Sequence, residues 1–585
     1  MAISSAIFLG VIGLAGSLEL ISAESRSGSE LIWPEDLRAH MREALEARSG
    51  KVSPPSAWPM TADELCGTEA GNRDSIEKNM VTKVPPLQEL CREMSPEGPL
   101  GLKAALGAHA LGMTAPLGTP FEEFSGGWRS RLTDPELARA WTELPSAVNA
   151  EVRHAFSPRA FAYLRLGLRR DLSSWRRDEA GWNIPLSIRE LDLNEPSRGY
   201  FHFSGDFLDL TLGRFPIHWS PSPDFGLALS SAVPYHSAIS TALKMPRLRY
   251  RFLISSLNPW LEGTPIGGPS ETYPVGSEEW RQRNYPVIGQ SDNAHNRIYD
   301  ARIKTLIAHR LESWAGPASF GITEMNMVGG KPPDLRDANP FAVFHNDFRE
   351  GYSNNSVSLD AGLRLPLGLM LAAELFLDDV SYSETEGDLK SPNLKGHLSS
   401  LRHAFGMRGW TVVHSLHAIR TDPFLYGAHQ PLNVSTSRHV LTSNDQRPGD
   451  SIFVDKYVID YPIGYIRGGD AFDFWYRLDA RRGLRWRLQL SAALLARGEV
   501  DTHTPYEQYY TPHDESPSGR AEREVRMSVE GSWRGSRGLG LSAGLAWQRI
   551  TDRGHVAGED AEEIRASAGA AWTLLPWAKA GGPEK

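Results

Sequence analysis

The chain has 585 residues, a formal net charge of −9 and 23% charged residues, so it carries no basic excess of the kind nucleic acid recruits. Its mean hydropathy of −0.36 and the lack of any apolar run of about 18 residues after residue 23 exclude ordinary membrane helices. A membrane β-barrel stays open, because only alternate residues of each strand need face lipid.

Residues 1–23, MAISSAIFLGVIGLAGSLELISA, carry the apolar core of a signal peptide, with cleavage expected after Ala23 or Ser17. Residues 24–96 read as short helices on the periplasmic side. Trp33-Pro34-Glu35-Asp36 opens one whose apolar face is Leu37, Met41, Ala44 and Leu45. Thr61-x-x-Glu64 is a capping-box pattern, and Pro85-Pro86 precedes a second face of Leu87, Leu90, Cys91 and Met94. Cys66 and Cys91 are the two cysteines. Paired in an oxidising compartment they would close a loop of about 26 residues, worth about 3 kcal/mol; two free thiols are the alternative. A further short helix is expected from Thr133-Asp-Pro-Glu136.

From about residue 155 the hydrophobic period changes to two. Ala162, Leu164, Leu166 and Leu168 alternate with Tyr163, Arg165 and Arg169. Arg247, Arg249 and Arg251 oppose Leu248, Tyr250 and Phe252, while Arg485 and Arg487 oppose Trp486 and Leu488. The pattern recurs at 524–530 and 564–574. Alternation over about 8–12 residues fits a tilted membrane strand. Aromatics near strand ends (Tyr250, Trp314, Trp486, Trp533, Trp547, Trp572) suit interfacial girdles. A soluble sandwich or propeller would alternate too, but an apolar face set against an arginine-rich one over hundreds of residues argues for lipid outside and water inside. Long polar stretches at 261–296, 330–355, 381–398, 421–450 and 499–519 alternate with short turns such as 534–538. The fold class is therefore all-β, a large transmembrane antiparallel barrel over residues 97–577 of about 16–18 strands, with a tail at 578–585.

Several motifs in chain order resemble the outer-membrane capsule-assembly proteins of the Wzi type. They are Gly213-Arg214, Trp219-Ser-Pro-Ser-Pro223 and Ser230-Ser-Ala-Val-Pro234, followed by Ala308-His-Arg310-Leu-Glu-Ser-Trp314 and Phe320 to Gly330. Asn354 to Asp360, Leu371 to Asp379, Tyr461-Pro-Ile-Gly-Tyr465 and Gly468-Gly-Asp-Ala471 continue the series. The resemblance implies an 18-stranded outer-membrane barrel with periplasmic-side helices that binds or organises surface polysaccharide without catalysis.

The residues themselves offer little for catalysis. Gly540-Leu-Ser542-Ala-Gly544 matches the hydrolase nucleophile pattern, but alternation runs straight through it where a strand-turn-helix is required. Glu374 and Asp378 share a strand face and could form a glycosidase pair or neutralise luminal arginines such as Arg214 or Arg310. His414 and His417 are three apart but have neither a helical setting nor a partnered carboxylate motif, and His202 and His218 are similarly scattered, so no metal and no cofactor are assigned. The ligand-binding candidates are Arg214, Trp219, Arg247, Arg249, Arg251, Arg302, Arg310, Glu374, Asp378, Arg485 and Arg487. Guanidinium groups bind carboxylates bidentately and stay charged. Loop aromatics including Tyr273, Trp280, Phe424 and Tyr426 could stack on sugars, and Arg214 and Trp219 could instead fix the wall. The expected partners are surface polysaccharide, outer-membrane lipid and lipopolysaccharide, with no nucleic acid. A lectin-like anchor and a channel for an anionic solute or polysaccharide both follow from an arginine-lined lumen.

Overall fold

The computed structural model describes residues 100–575, apart from 114–129, 260–286, 289–297, 342–352, 380–393, 446–452, 505–515 and a few shorter gaps, together with three two-residue strands before residue 62. The expected signal peptide, Cys66, Cys91, Arg302 and the tail lie outside the described residues. So do the expected N-terminal helices, where Leu31–Ile32, Ala57–Trp58 and Met60–Thr61 are described as short strands.

Eighteen antiparallel strands close the wall. They are β1 (Leu100–Met113), β2 (Val148–Ser157), β3 (Ala160–Leu168), β4 (Arg198–Ser204), β5 (Leu208–Phe215) and β6 (His236–Met245). Next come β7 (Leu248–Leu257), β8 (Lys304–Ala315), β9 (Ala318–Gly329), β10 (Ser353–Leu365), β11 (Leu369–Asp379) and β12 (Leu394–Met407). The last six are β13 (Trp410–Thr421), β14 (Ala471–Arg482), β15 (Trp486–Arg497), β16 (Glu522–Arg534), β17 (Leu539–Thr551) and β18 (Ala561–Leu575). Closure is made by β18 on β1, from Arg565 opposite Met113 to Leu575 opposite Ala104. Strand β2 pairs only with Leu100–Leu106 of β1, and the three-residue strand Ala180–Trp182 covers Ala110–Gly112 above it. No open edge is left to face lipid.

Connections alternate between two kinds. Those at 158–159, 205–207, 246–247, 316–317, 366–368, 408–409, 483–485 and 535–538 are short, whereas those at the other end include 216–235, 258–303 and 422–470. Short turns lie on the periplasmic side of outer-membrane barrels and long loops on the outer side.

Side-chain alternation sets the two faces. Leu212, Ile322, Leu371, Leu401, Leu416, Leu494 and Met527 are 38–59% exposed on the outer wall. One inner row runs in register through Ala372, Ser400, His417, Trp475, Ala493 and Arg526. At the short-turn rim Trp486 and Trp533 meet at 6.3 Å between ring centroids, and Trp572 is exposed nearby, as an interfacial girdle requires.

Two helices lie on long connections. The expected helix near Thr133 is α1 (Pro135–Glu143), and α2 (Leu172–Arg177) begins after Asp171, whose carboxylate accepts from the Ser174 amide and hydroxyl at 2.9 Å each. Both helices are short, and among the described residues no helix is long and apolar enough to cross a membrane.

If the outer wall meets hydrocarbon, Leu401→Arg at the middle of β12 should cost about 2–4 kcal/mol in urea unfolding from lipid vesicles. A cost below about 0.5 kcal/mol, normal for a solvated surface position, would show that this face does not meet lipid.

Candidate functional site

From the long-loop end two segments of the chain enter the lumen, residues 216–235 after β5 and the described residues of 422–470 between β13 and β14. Trp219, Leu227, Leu229, Phe424, Leu425, Tyr426, Ile463 and Tyr465 form one apolar core with the inner faces of the wall, including Leu253, Met325, Phe376, Leu398 and Ile419. The second segment contains a hairpin, Thr436–Asp445 with Phe453–Pro462, whose second arm also pairs in parallel with Ser130–Leu132. Trp141 of α1 and Trp175 of α2 pack with Tyr457, Ile459 and Tyr461 of this hairpin.

Polar bonds fasten the two segments to each other. The Tyr426 hydroxyl donates to the Leu227 carbonyl at 2.7 Å and accepts from the Tyr465 amide at 3.0 Å. The Ser230 amide donates to the Ile463 carbonyl at 2.9 Å. Gly464 is required here, because a Cβ on it would sit 1.9 Å from the Leu227 carbonyl oxygen. Bonds also reach the wall. Glu374 accepts from the Ser220 hydroxyl at 2.7 Å, the Ala228 amide at 2.9 Å and the Ser358 hydroxyl at 3.0 Å. Asp378 accepts from the Tyr426 amide at 3.0 Å, and Lys304 donates to the Val434 carbonyl at 2.7 Å.

Three ionic clusters sit around this plug. Arg310 is fully buried and donates to Asp360 at 2.5 and 3.0 Å, Glu312 at 2.7 Å and Thr323 at 2.8 Å. Gly321 makes room for it, since a Cβ there would lie 2.2 Å from Arg310 Nη2. Arg467 of the plug lies 3.1 Å from Asp473, 3.1 Å from Glu136 of α1 and 3.4 Å from Glu524, and Arg526 also pairs with both glutamates. Asp224 meets Arg477 at 2.6 Å, His417 at 3.2 Å and Arg402 at 3.9 Å. Burial by itself would raise the Asp224 carboxyl, but Arg477, His417 and Arg402 hold it well below the ordinary aspartate range. Glu136 is likewise held low against the effect of burial, by Arg526 and Arg467. His439, in the hairpin, is pushed down to about 3 by burial and then by His236 and Arg214.

The structure separates the candidate residues into several settings. Arg249, Arg251 and Arg310 are buried on the inner wall, where Arg251 approaches Glu312 at 3.5 Å. Arg247 is exposed in the turn between β6 and β7. Arg214 covers the Tyr235 ring at 4.5 Å, and Trp219, 1% exposed, donates its amide to the Leu229 carbonyl at 2.8 Å. Arg485 and Arg487 line the lumen at the short-turn end. Glu374 and Asp378 do share the inner face, where Glu374 holds Ser220 and Ala228 of the plug with Ser358 of the wall and Asp378 holds the Tyr426 amide. Phe424 and Tyr426, expected to offer faces to sugars, are buried in the plug core. Their positive φ values of 63° and 69° mark the tight reversal that turns this loop inward, a feature no hydrophobic period encodes. Ser542 continues the strand β17 in register with Ser532 and Gly569, without a nucleophile turn. His414 and His417 fall on opposite wall faces, and no metal-holding cluster occurs among the described residues.

Among solved structures, the chain is similar to Wzi of Escherichia coli, described as an outer-membrane protein involved in group 1 capsule assembly and a carbohydrate-binding β-barrel. Identity is 13%, coverage 94% of this chain and 100% of that one, and the TM-score 0.54. This chain has the fold of an outer-membrane β-barrel. It is also matched, at 11% identity over 81% of its length and a TM-score of 0.35, to OprD of Pseudomonas aeruginosa. No family model and no curated protein matches it.

Breaking the central cluster should be costly. Arg310→Met would leave Asp360 buried without its arginine and is expected to lose about 3–5 kcal/mol in chemical denaturation. Arg310→Met with Asp360→Asn should recover part of that loss. The plug should also be acid-sensitive. Unfolded Asp224 and Glu136 bind protons that the folded carboxylates refuse, so their contribution is complete above about pH 4.5 and fades as pH falls through the folded values. Unfolded His439 takes a proton below 6.5 that the folded ring refuses until about 3, so its contribution falls across that window. Protease cleavage within 422–470 should therefore rise on acidification, less steeply in Asp224→Asn. Equal protection at pH 7 and pH 3 would contradict this.

Proposed function

We propose that this protein binds and anchors surface polysaccharide at the outer mouth of its barrel, as a lectin-like protein without turnover. The observation that carries the reading is the plug. Two segments from the long-loop end occupy the middle of the lumen with fully buried aromatics and paired charges, leaving a packed body where a channel would need a wet path. The arginines that a channel would use to select an anionic cargo, Arg251, Arg310, Arg467 and Arg526, are instead engaged with Glu312, Asp360, Asp473, Glu136 and Glu524. A rigid plug also gives the outer loops a fixed base, which lowers the ordering cost of holding a long polymer. The likeness to a barrel described as carbohydrate-binding and as acting in capsule assembly agrees with this role. Lipopolysaccharide, the lipid of the outer leaflet, is the natural neighbour of such a mouth.

Planar-bilayer recording of the purified chain should show no steady current, and replacing 436–462 by a short flexible linker should produce one. A glycan array should show retention of acidic capsular or exopolysaccharide by the intact protein, and deletion of the gene should release polymer from the cell surface. Steady current from the intact protein, with unchanged polymer retention in the deletion, would replace the anchor with a channel.

A further inference from the structure

The short-turn end of the lumen carries a second feature, remote from the outer mouth. There the inner faces of β14–β18 and β1 border a recess of about 340 Å³ lined by Arg481, Arg485, Arg487 and Arg534. Opposite them the wall offers Gly540, Ser542, Gly569 and Ala571, so the space exists because these strands contribute almost no side-chain bulk. Asp479 orients two of the four cations. It accepts from Arg481 at 2.5 and 3.1 Å and from Arg487 at 2.8 Å, while Arg487 Nη2 reaches Gln489 at 2.5 Å. The Arg534 amide donates to the Arg485 carbonyl at 2.8 Å, tying the ends of β15 and β16 together. Neither the Arg485 nor the Arg534 side chain makes an ion pair among the described residues, and both are exposed to the lumen. His109 adds a ring nitrogen, Nδ1, that is buried at the recess without a hydrogen-bond partner among the described residues.

The charge does not balance. Among the described residues, four guanidinium groups line the recess and one carboxylate, Asp479, touches two of them; counting Glu530, which stands opposite Gln489 one row farther in, still leaves two positive charges in excess. Elsewhere in this lumen Arg310, Arg467, Arg477 and Arg526 each meet a carboxylate at close range. An orienting carboxylate behind two guanidinium forks, with free donors in front and an empty small-residue wall opposite, is the arrangement that receives a planar or tetrahedral oxyanion.

We propose that this recess is a binding site for an oxyanion, the carboxylate or phosphate of a soluble anionic saccharide reaching the barrel from the periplasmic side. The site does not depend on the outer mouth, so it stands or falls separately from glycan anchoring at the surface. Trp486 and Trp533, on the lipid side of the same wall, supply an intrinsic reporter.

The test uses the full-length chain in phosphatidylcholine nanodiscs, titrated with inorganic pyrophosphate and with oligogalacturonate, read by tryptophan fluorescence and by calorimetry. Saturable binding that weakens steeply with salt is expected. Arg485→Gln with Arg534→Gln, which breaks no described ion pair, should weaken it at least tenfold while glycan retention at the outer surface is unchanged. Ser542→Glu, which adds a carboxylate without removing an arginine, should weaken binding similarly. Repeating the titration in phosphatidylglycerol nanodiscs separates the sources: unchanged affinity is expected for a soluble ligand, and tenfold competition would reassign the site to a lipid headgroup. No saturable binding, or equal affinity in all variants of confirmed heat-modifiable fold, would overturn the proposal.

Discussion

Backbone amides and carbonyls have no water to bond inside a bilayer, and that constraint governs this molecule. It requires the ladder to close on itself, which β18 and β1 accomplish, and it sorts side chains to one face or the other by simple parity. Once Leu371, Leu401 and Leu416 face lipid, the charges in the middle of the same strands, Glu374 and Arg402, turn inward. A wide barrel then has an interior too large for its own wall residues to fill. The two inward segments occupy that interior, bringing apolar surface to the middle of the lumen and carboxylates and arginines to its periphery.

The ionic clusters follow from this packing. A guanidinium as deeply buried as Arg310 is tolerable only with its donors satisfied, and Asp360, Glu312 and Thr323 supply acceptors on three sides. Gly321 and Gly464 mark where the packing is tightest, since each would place a Cβ into an occupied position. Carboxylates at Glu374 and Asp378 accept from the Ala228 and Tyr426 amides, backbone donors that no strand ladder satisfies. Acidic residues on the wall thus hold the plug's amides, while its own Arg467 and Asp224 reach back to the wall.

Much of the wall was legible in the sequence. Period-two alternation at 161–169 and 485–492, the turns, and the helix at Thr133 all correspond to what the fold contains, because parity and turn chemistry are local properties. The partner of each inward residue was not legible. Arg251 and Arg485 read alike, both luminal arginines on alternating strands, yet one is buried beside Glu312 and the other faces open lumen. That difference depends on which loop folds inward, a long-range matter with no period. Phe424 and Tyr426 looked like loop-tip aromatics for the same reason. A hint did exist in Tyr461-Pro-Ile-Gly-Tyr465, where two aromatics flank a Pro and a Gly just beyond the polar stretch 421–450.

The parallel pairing of Lys456–Val458 with Ser130–Leu132 has a mechanical side. It joins the connection after β1 to the connection after β13, so the plug is moored to stretches of wall well separated around the ring. A sheet only one residue thick bends easily, and a hoop of eighteen strands without internal bracing would flatten under lateral pressure from the membrane. With Lys304 of β8, Glu374 of β11, His417 of β13 and Glu524 of β16 all holding the same central mass, the plug works as a set of spokes. The hoop keeps its roundness, and the outer mouth keeps a constant shape while the bilayer around it fluctuates.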